Sequence, residues 1–158
     1  MTARFPEPEN DFDASVLRGI QDHGWYVLKV PEDAEGPGFA FTVGLWANYQ
    51  HPELIMVGLS LDLMHPLLNL AGGEVRDGRQ RFEAGQLSSE LIKGHLCTFV
   101  EVAPESYRDY LGYALWLYRH ESFPVLQCAW PDQQGSFPWQ SQFPEALRAR
   151  QPILGNPK

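Results

Sequence analysis

The run LIMVGL at residues 54–59 is the sequence feature that most restricts the fold. It is apolar without polar alternation, and a strand of that kind is normally covered on both faces. Residues 39–45 do alternate, with large apolar side chains at Phe39, Phe41 and Val43 and small residues between them. The chain is therefore predicted to contain a central strand enclosed between layers, next to strands with one large apolar face.

Helical and strand-like segments follow one another irregularly along the chain. Apolar residues recur at helical spacing in residues 11–23, 61–71 and 103–120, and further strand-like runs lie at residues 25–30, 95–102 and 123–130. Several strands are joined by loops too short for a crossover helix, and no internal repeat is present. We predict one α+β domain with a mixed, mainly antiparallel sheet flanked by helices. It occupies residues 11–152, between a flexible N-terminal tail at residues 1–10 and a C-terminal tail at residues 153–158.

Weaker local signals complete the predicted elements. The RQRFE segment at residues 79–83 lies between glycines and indicates an added edge strand. Ser88 is a suitable cap for one or two helical turns that end at Gly94. Residues 46–53 are predicted to form a polar and aromatic connection, and a short helix is predicted near residues 144–150.

The charge balance argues against nucleic acid as a partner. The 158 residues include 12 Lys and Arg against 20 Asp and Glu, which gives a net charge of −8. A chain of this sign is repelled by the phosphate backbone unless basic residues cluster. The densest basic stretch, at residues 76–81, is interrupted by Asp77, so it indicates a solvated turn.

Neither a membrane segment nor a disulfide framework is predicted. No segment holds the roughly 18 consecutive apolar residues of a membrane span, and the first residues lack the apolar core of a signal peptide. We expect a soluble cytoplasmic protein with no membrane partner. Cys97 and Cys128 each lie in an apolar strand-like run, which predicts two buried, reduced thiols.

Familiar catalytic motifs are incomplete in this sequence. Trp-Pro-Asp at residues 130–132 shares its letters with a loop of tyrosine phosphatases, but those enzymes need an Arg six residues after the nucleophilic Cys, where Ala103 and Gln134 stand. No G-x-S-x-G elbow, P-loop or dinucleotide fingerprint occurs. His95 and Cys97 share a strand face, but no Cys or His pair has a usual zinc spacing. We therefore predict no cofactor and no metal site.

The segment FPVLQCAWPDQQGSFPW, residues 123–139, is the strongest candidate for a functional loop. It runs from an apolar strand into a loop with two Trp and several turn-forming residues. If the ends of this strand and of the strand near residue 53 are neighbours, a carboxylate and an imidazole would share an aromatic cleft. Alternatively, the carboxylates cap turns, the imidazole is solvated and both Trp fill the domain. The candidate binding residues are Trp46, His51, Gln127, Trp130, Asp132 and Trp139, and the candidate catalytic residues are His51, Glu53 and Asp132.

Several motifs in a fixed order carry a family resemblance. They are FAFTVGLW at residues 39–46, HPELI at 51–55, the turn at 77–78, YRDYLGY at 107–113, FPVLQ with the following WPD and GxFPW at 123–139, and the final Gln-Pro at 151–152. Together they resemble a bacterial domain-of-unknown-function family, number 4262, from about residue 24 to residue 152. The resemblance implies a small stand-alone bacterial protein and carries no activity to its residues.

Two classes of function remain open. The first is a non-catalytic binding module that presents the Trp-rich loop and the loop at residues 46–53 to a protein or small-molecule partner; a homodimer is compatible with it. The second is a small hydrolase-like enzyme, which requires His51, Glu53 and Asp132 to lie within about 10 Å in one pocket. An acidic single domain without a catalytic signature favours the first.

Overall fold

A computed structural model describes residues 5–119 and 122–158 of the chain. The helices are α1 (Asp11–His23), α2 (Leu45–Tyr49), α3 (Leu61–Arg76), α4 (Tyr107–Tyr110), α5 (Gly112–Leu117) and α6 (Glu145–Arg148), with a 3₁₀ turn at Pro104–Ser106. The strands are β1 (Tyr26–Val30), β2 (Phe39–Val43), β3 (Glu53–Val57), β4 (Leu87–Ile92), β5 (His95–Glu101) and β6 (Val125–Ala129).

The strands form one six-stranded sheet in the order β1-β2-β3-β6-β5-β4. β3 and β6 run parallel, and the other neighbouring strands are antiparallel. This arrangement confirms the predicted α+β domain with a mixed, mainly antiparallel sheet flanked by helices. Strands β1 and β4 are left as the two edges of the sheet.

The central strand β3 is buried at all five positions, as its unbroken apolar pattern predicts. Leu54 and Met56 belong to a core cluster that includes the apolar side of α3. Ile55 and Val57 belong to a second cluster, on the other face, with residues of α1 and α5. Because successive side chains of a strand point to opposite faces, one apolar run supplies both layers of the core.

The segment predicted to form helical turns from Ser88 to Gly94 is instead strand β4, so this prediction was wrong. β4 pairs with β5 through a tight turn in which Gly94 has a φ of 81°. A local capping signal does not report the backbone partner that β5 offers. The predicted edge strand at residues 79–83 is also absent, because the Phe82 N–H donates to the ring of His51 at 2.9 Å and not to a neighbouring strand.

The predicted helix over residues 103–120 is divided into the 3₁₀ turn, α4 and α5. Leu111 separates α4 from α5 with a φ of −122° and a ψ of 29°, and its side chain is fully buried. The apolar spacing identified buried residues correctly, but spacing does not report a backbone dihedral that tertiary packing sets. His120, the predicted end, lies outside the described residues.

Both predicted tails include residues that pack against the domain. Phe5 contacts the ring of Tyr118, while residues 1–4 lie outside the described residues. Leu154 is buried and donates its N–H to the Gln127 side chain. The packed domain is therefore longer than predicted.

The predicted polar and aromatic connection at residues 46–53 contains most of helix α2.

Candidate functional site

The structure does not bring the three candidate catalytic residues into one cleft. Glu53 pairs with Val125 at the start of the parallel strands β3 and β6. Asp132 follows the far end of β6, and the strand from Val125 to Ala129 alone separates the two ends by about 13 Å at 3.3 Å per residue. His51 and Glu53 therefore lie at one end of these central strands and Asp132 beyond the opposite end, farther apart than the roughly 10 Å that one shared pocket requires.

Glu53 is fully buried and accepts hydrogen bonds from five groups. Its carboxylate accepts hydrogen bonds from the backbone N–H groups of Gly44, Leu45 and Trp46, at 3.0, 3.3 and 3.1 Å respectively. The Thr42 hydroxyl donates at 2.7 Å, and the Tyr118 hydroxyl donates through a very short contact. These amides begin α2 and have no partner within the helix, so Glu53 acts as its N-terminal cap.

The pKa of Glu53 is determined mainly by its burial. Burial raises the pKa of Glu53 to about 7, against the lowering effect of its hydrogen bonds from Tyr118, Thr42 and the amides. Burial and the Glu53 charge raise the pKa of Tyr118, so the shared proton stays on the phenol. A carboxyl group that titrates near neutrality is suited to acid–base chemistry, but this one has no exposed surface and cannot contact a substrate.

His51 is also buried, with both ring nitrogens occupied by the backbone. Nδ1 lies 2.7 Å from the Pro52 carbonyl oxygen, and Nε2 accepts the Phe82 N–H at 2.9 Å. Because an amide N–H can only donate, Nε2 carries no proton and Nδ1 carries the single one. His51 is therefore a neutral link between the start of β3 and the segment after α3, and it is not solvated.

Acidification is expected to weaken the fold through His51. Burial lowers the pKa of His51, so its contribution to stability is complete above its unfolded value of about 6.5 and is lost as the pH falls through its folded value. Glu53 acts with the opposite sign, because its raised pKa favours the folded state at low pH. The free energy of unfolding of wild type, relative to that of His51→Gln, should fall by up to about 1.4 kcal/mol per pH unit below pH 6.5.

Urea unfolding between pH 4.5 and 8 measures this difference. A His51→Gln profile that runs parallel to wild type across the series would contradict a neutral, backbone-bound imidazole.

The candidate residues on β6 and in the loop after it hold the C-terminal segment and a turn. The buried Gln127 side chain binds the Pro152 carbonyl and the Leu154 N–H at 3.0 and 2.8 Å. Asp132 accepts the N–H groups of Gln134 and Ser136, which is the turn-capping alternative that the sequence left open. The polar groups of both side chains are thus engaged in hydrogen bonds with backbone groups.

The three candidate tryptophans differ in exposure. Trp130 is buried and donates its indole N–H to the Val57 carbonyl at 2.7 Å. Trp46 is partly buried against the core on the α1 face. Trp139 keeps 36% of its surface exposed and stacks on Phe137, with ring centroids 5.2 Å apart. Only Trp139 presents a large surface from the Trp-rich loop.

A groove of about 640 Å³ runs along β1 between α1 and α3, and we call it the β1 groove. Two glycines, which lack a Cβ, allow α1 and α3 to lie close to the aromatic rings on the floor of the groove. A Cβ on Gly19 of α1 would lie 2.9 Å from the ring of Tyr26, and one on Gly72 of α3 would lie 2.4 Å from the ring of Trp25. The Trp25 indole N–H is fixed by the Asn69 side chain at 3.0 Å. The groove is therefore built from packed, oriented side chains.

The β1 groove is basic although the protein is acidic. Its lining holds three cationic side chains, Arg18, Lys29 and Arg76, together with two histidines, His23 and His65, and a single carboxylate, Asp22. Arg76 pairs with Asp77 and lies over the Trp25 ring. No ion pair with a described carboxylate involves Arg18 or Lys29. Burial and the Lys29 charge lower the pKa of His65, so this imidazole is neutral at pH 7 and adds no charge to the groove.

Sequence reasoning missed the β1 groove and the Tyr118–Glu53 contact. The basic residues of the groove are dispersed from residue 18 to residue 76, and each is an ordinary surface residue in its own segment. Tyr118 and Glu53 are 65 residues apart. No local pattern reports either proximity, because the sheet order creates both.

Comparisons with known proteins identify a family without an activity. A family model described as a domain of unknown function, DUF4262, matches residues 19–144. No curated protein and no solved structure matches the chain. The matched range includes every motif that carried the resemblance except Gln151-Pro152.

Among the described residues, none of the helices is both long and apolar enough to cross a membrane. Within the same residues, no three His, Cys, Asp or Glu side chains form a group that could hold a metal ion.

Proposed function

We propose that this chain, which belongs to the DUF4262 family of domains of unknown function, is a binding module whose ligand surface is the β1 groove. The observation that carries the proposal is the cluster of basic groups in a structured groove of a protein with a net charge of −8. Within the groove, Arg18 and Lys29 form no ion pair with a described carboxylate. Like charges that lie close together repel each other, and a negatively charged ligand relieves that repulsion. The ligand is therefore anionic.

The alternative, a small hydrolase-like enzyme, has weaker support. Its candidate residues His51, Glu53 and Asp132 are engaged by backbone groups and lie at opposite ends of the central strands β3 and β6. Binding requires none of them to be free. Trp139 remains a candidate contact for a protein partner, because it is exposed and held flat by Phe137. The two free thiols, Cys97 and Cys128, suit work in the reducing cytoplasm.

Small multivalent anions test the proposed function directly. Titration of the ¹⁵N-labelled protein with pyrophosphate and with citrate should shift amide signals of α1, β1 and α3 before those of other elements. The double variant Arg18→Glu with Lys29→Glu should weaken this binding about tenfold at low salt, since each reversal replaces an attraction by a repulsion of up to about 1 kcal/mol.

A matched double variant separates the groove from net charge. Lys93→Glu with Arg108→Glu changes two exposed residues and alters the net charge by the same amount, so it should leave the affinity within about twofold. Equal weakening by both double variants would contradict a localised site. Signal shifts that map to another surface would overturn the proposed function.

A further inference from the structure

We infer that the β1 groove binds an extended acidic peptide segment, which adds to the open edge of β1 as a seventh strand. This inference rests on the proposed function and names the class of partner. It commits to backbone pairing with β1, whereas the proposed function requires only that anions bind in the groove.

The outer edge of β1 is free to pair. β1 is the first strand of the sheet order, and its five residues pair in unbroken register with β2. Among the described residues, no backbone hydrogen bond reaches β1 from the other side. An unpaired edge of this kind is a template for another strand.

The hydrogen-bond alternation identifies which groups of β1 face outward. Gly58 donates its N–H to the Gly38 carbonyl at 2.9 Å, so the backbone of Gly38 faces β3. In antiparallel pairs successive residues alternate sides, and Phe39, Phe41 and Val43 therefore face β1. Their partners on β1 are Val30, Leu28 and Tyr26.

Two residues of β1 remain for an incoming strand. The backbone N–H and C=O groups of Tyr26, Leu28 and Val30 face β2. Those of Val27 and Lys29 therefore point away from the sheet. Both residues line the β1 groove, where Lys29 is exposed and Val27 is 4% exposed. A ligand in the groove thus meets backbone groups that no other strand pairs, as well as the cationic side chains.

The charges on the two flanking helices select an acidic strand. Side chains of an added strand would point alternately towards α1, which carries Arg18 and the acidic residue of the groove, Asp22, and towards α3, which carries Arg76. Acidic side chains on either face of the added strand meet an arginine, and Lys29 of β1 adds a third positive charge to the groove.

A second copy of this chain fits less well. Pairing of β1 with its own copy would bring Lys29 of each protomer to a shared edge, and like charges across neighbouring strands are unfavourable. The other edge strand, β4, is interrupted by an irregular register between Ser88 and Ile92, which discourages pairing there. The regular and basic edge is therefore the one suited to a partner of opposite charge.

Backbone methylation of a defined peptide tests strand addition on the unmodified protein. The probe is an acetylated, amidated heptapeptide of alternating Glu and Val with a fluorescent label, and its Gln–Val counterpart controls for charge. Methylation of single backbone nitrogens should weaken binding about tenfold at every second position and by less than about twofold between them, because only alternate N–H groups face β1. Hydrogen exchange should slow at the Val27 and Lys29 amides when the Glu–Val peptide binds.

Two variants at one position separate the charge from the backbone. Lys29→Gln removes only the charge and should weaken the Glu–Val peptide several-fold. Lys29→Pro also removes the outward N–H, at an edge position where Pro does not disturb the pairing with β2, and should weaken it at least tenfold further.

The outcomes distinguish the two proposals. Equal effects of methylation at all peptide positions would overturn strand addition, and no preference for the Glu–Val over the Gln–Val peptide would overturn the acidic character of the partner; either result overturns the inference. If pyrophosphate and citrate still bound in the groove, the proposed function would stand without the inference. Sedimentation that showed a stable dimer with protected Val27 and Lys29 amides would assign the edge to a second copy and overturn the inference.

Discussion

Replacement of Glu53 by Ala is expected to lower the free energy of unfolding by about 4 kcal/mol. The substitution removes the acceptor of five donors, of which four are buried and the Trp46 N–H is part-buried. Each buried donor left without a partner costs about 1–3 kcal/mol, offset in part by water entering the space and by the Tyr118 hydroxyl, which still accepts the Gly44 N–H. The amides of Gly44, Leu45 and Trp46 and the hydroxyls of Thr42 and Tyr118 would all be affected. Chemical denaturation followed by tryptophan fluorescence measures the loss.

An exposed glutamate provides the matched control for Glu53. Glu90→Ala, on strand β4, should change the free energy of unfolding by less than about 0.5 kcal/mol. If Glu53→Ala does not fold, Tyr118→Phe keeps the ring and removes one donor, with an expected loss of about 1–2 kcal/mol. A loss below about 1.5 kcal/mol for Glu53→Ala would show that this carboxylate does not hold the start of α2.

Replacement of Trp130 by Ala should cost about 4 kcal/mol, and replacement of Trp139 by Ala about 1 kcal/mol. Trp130 is 6% exposed, contacts Phe143 in the core, and donates its indole N–H to the Val57 carbonyl. Its removal leaves a large cavity and an unpaired carbonyl. Trp139 is 36% exposed and would lose mainly its stacking on Phe137.

The same denaturation experiment compares the two tryptophan variants, with circular dichroism as the probe because both changes remove a fluorophore. Trp130→Phe extends the comparison if the Ala variant is unfolded, since it retains an aromatic ring but not the N–H. Equal losses for Trp130→Ala and Trp139→Ala would contradict the separation of the Trp-rich loop into a buried anchor and an exposed ring.

The secondary-structure predictions were correct where a sequence pattern is compatible with only one arrangement in the fold. An apolar run as long as residues 54–59 has to be covered on both faces, and the structure encloses β3 between two core clusters. The prediction failed at residues 88–94 and in the region of residues 103–119. There, the pairing of β4 with β5 and the burial of Leu111 override the local signals.

The candidate site shows a similar division. The sequence drew attention to His51, Glu53, Gln127 and Asp132 as polar residues beside apolar strands, and all four are buried. Their shared function in the structure is to bind backbone groups that regular pairing leaves unsatisfied. A side chain that is conspicuous in sequence because it is polar in an apolar setting can serve the fold as well as catalysis, and only the distances distinguish the two uses.

The sequence by itself determined the α+β class, the central strand β3, the excess of negative charge and the membership of a family. These follow from composition, from periodicity and from motifs in order, which are properties of contiguous residues. Tertiary structure alone decided that β3 and β6 are parallel, which separates Glu53 from Asp132, and that β1 is an edge between two helices, which gathers Arg18, Lys29 and Arg76 into one groove. The physical reason is that strand order joins residues far apart in the chain, and no local pattern encodes which strands become neighbours.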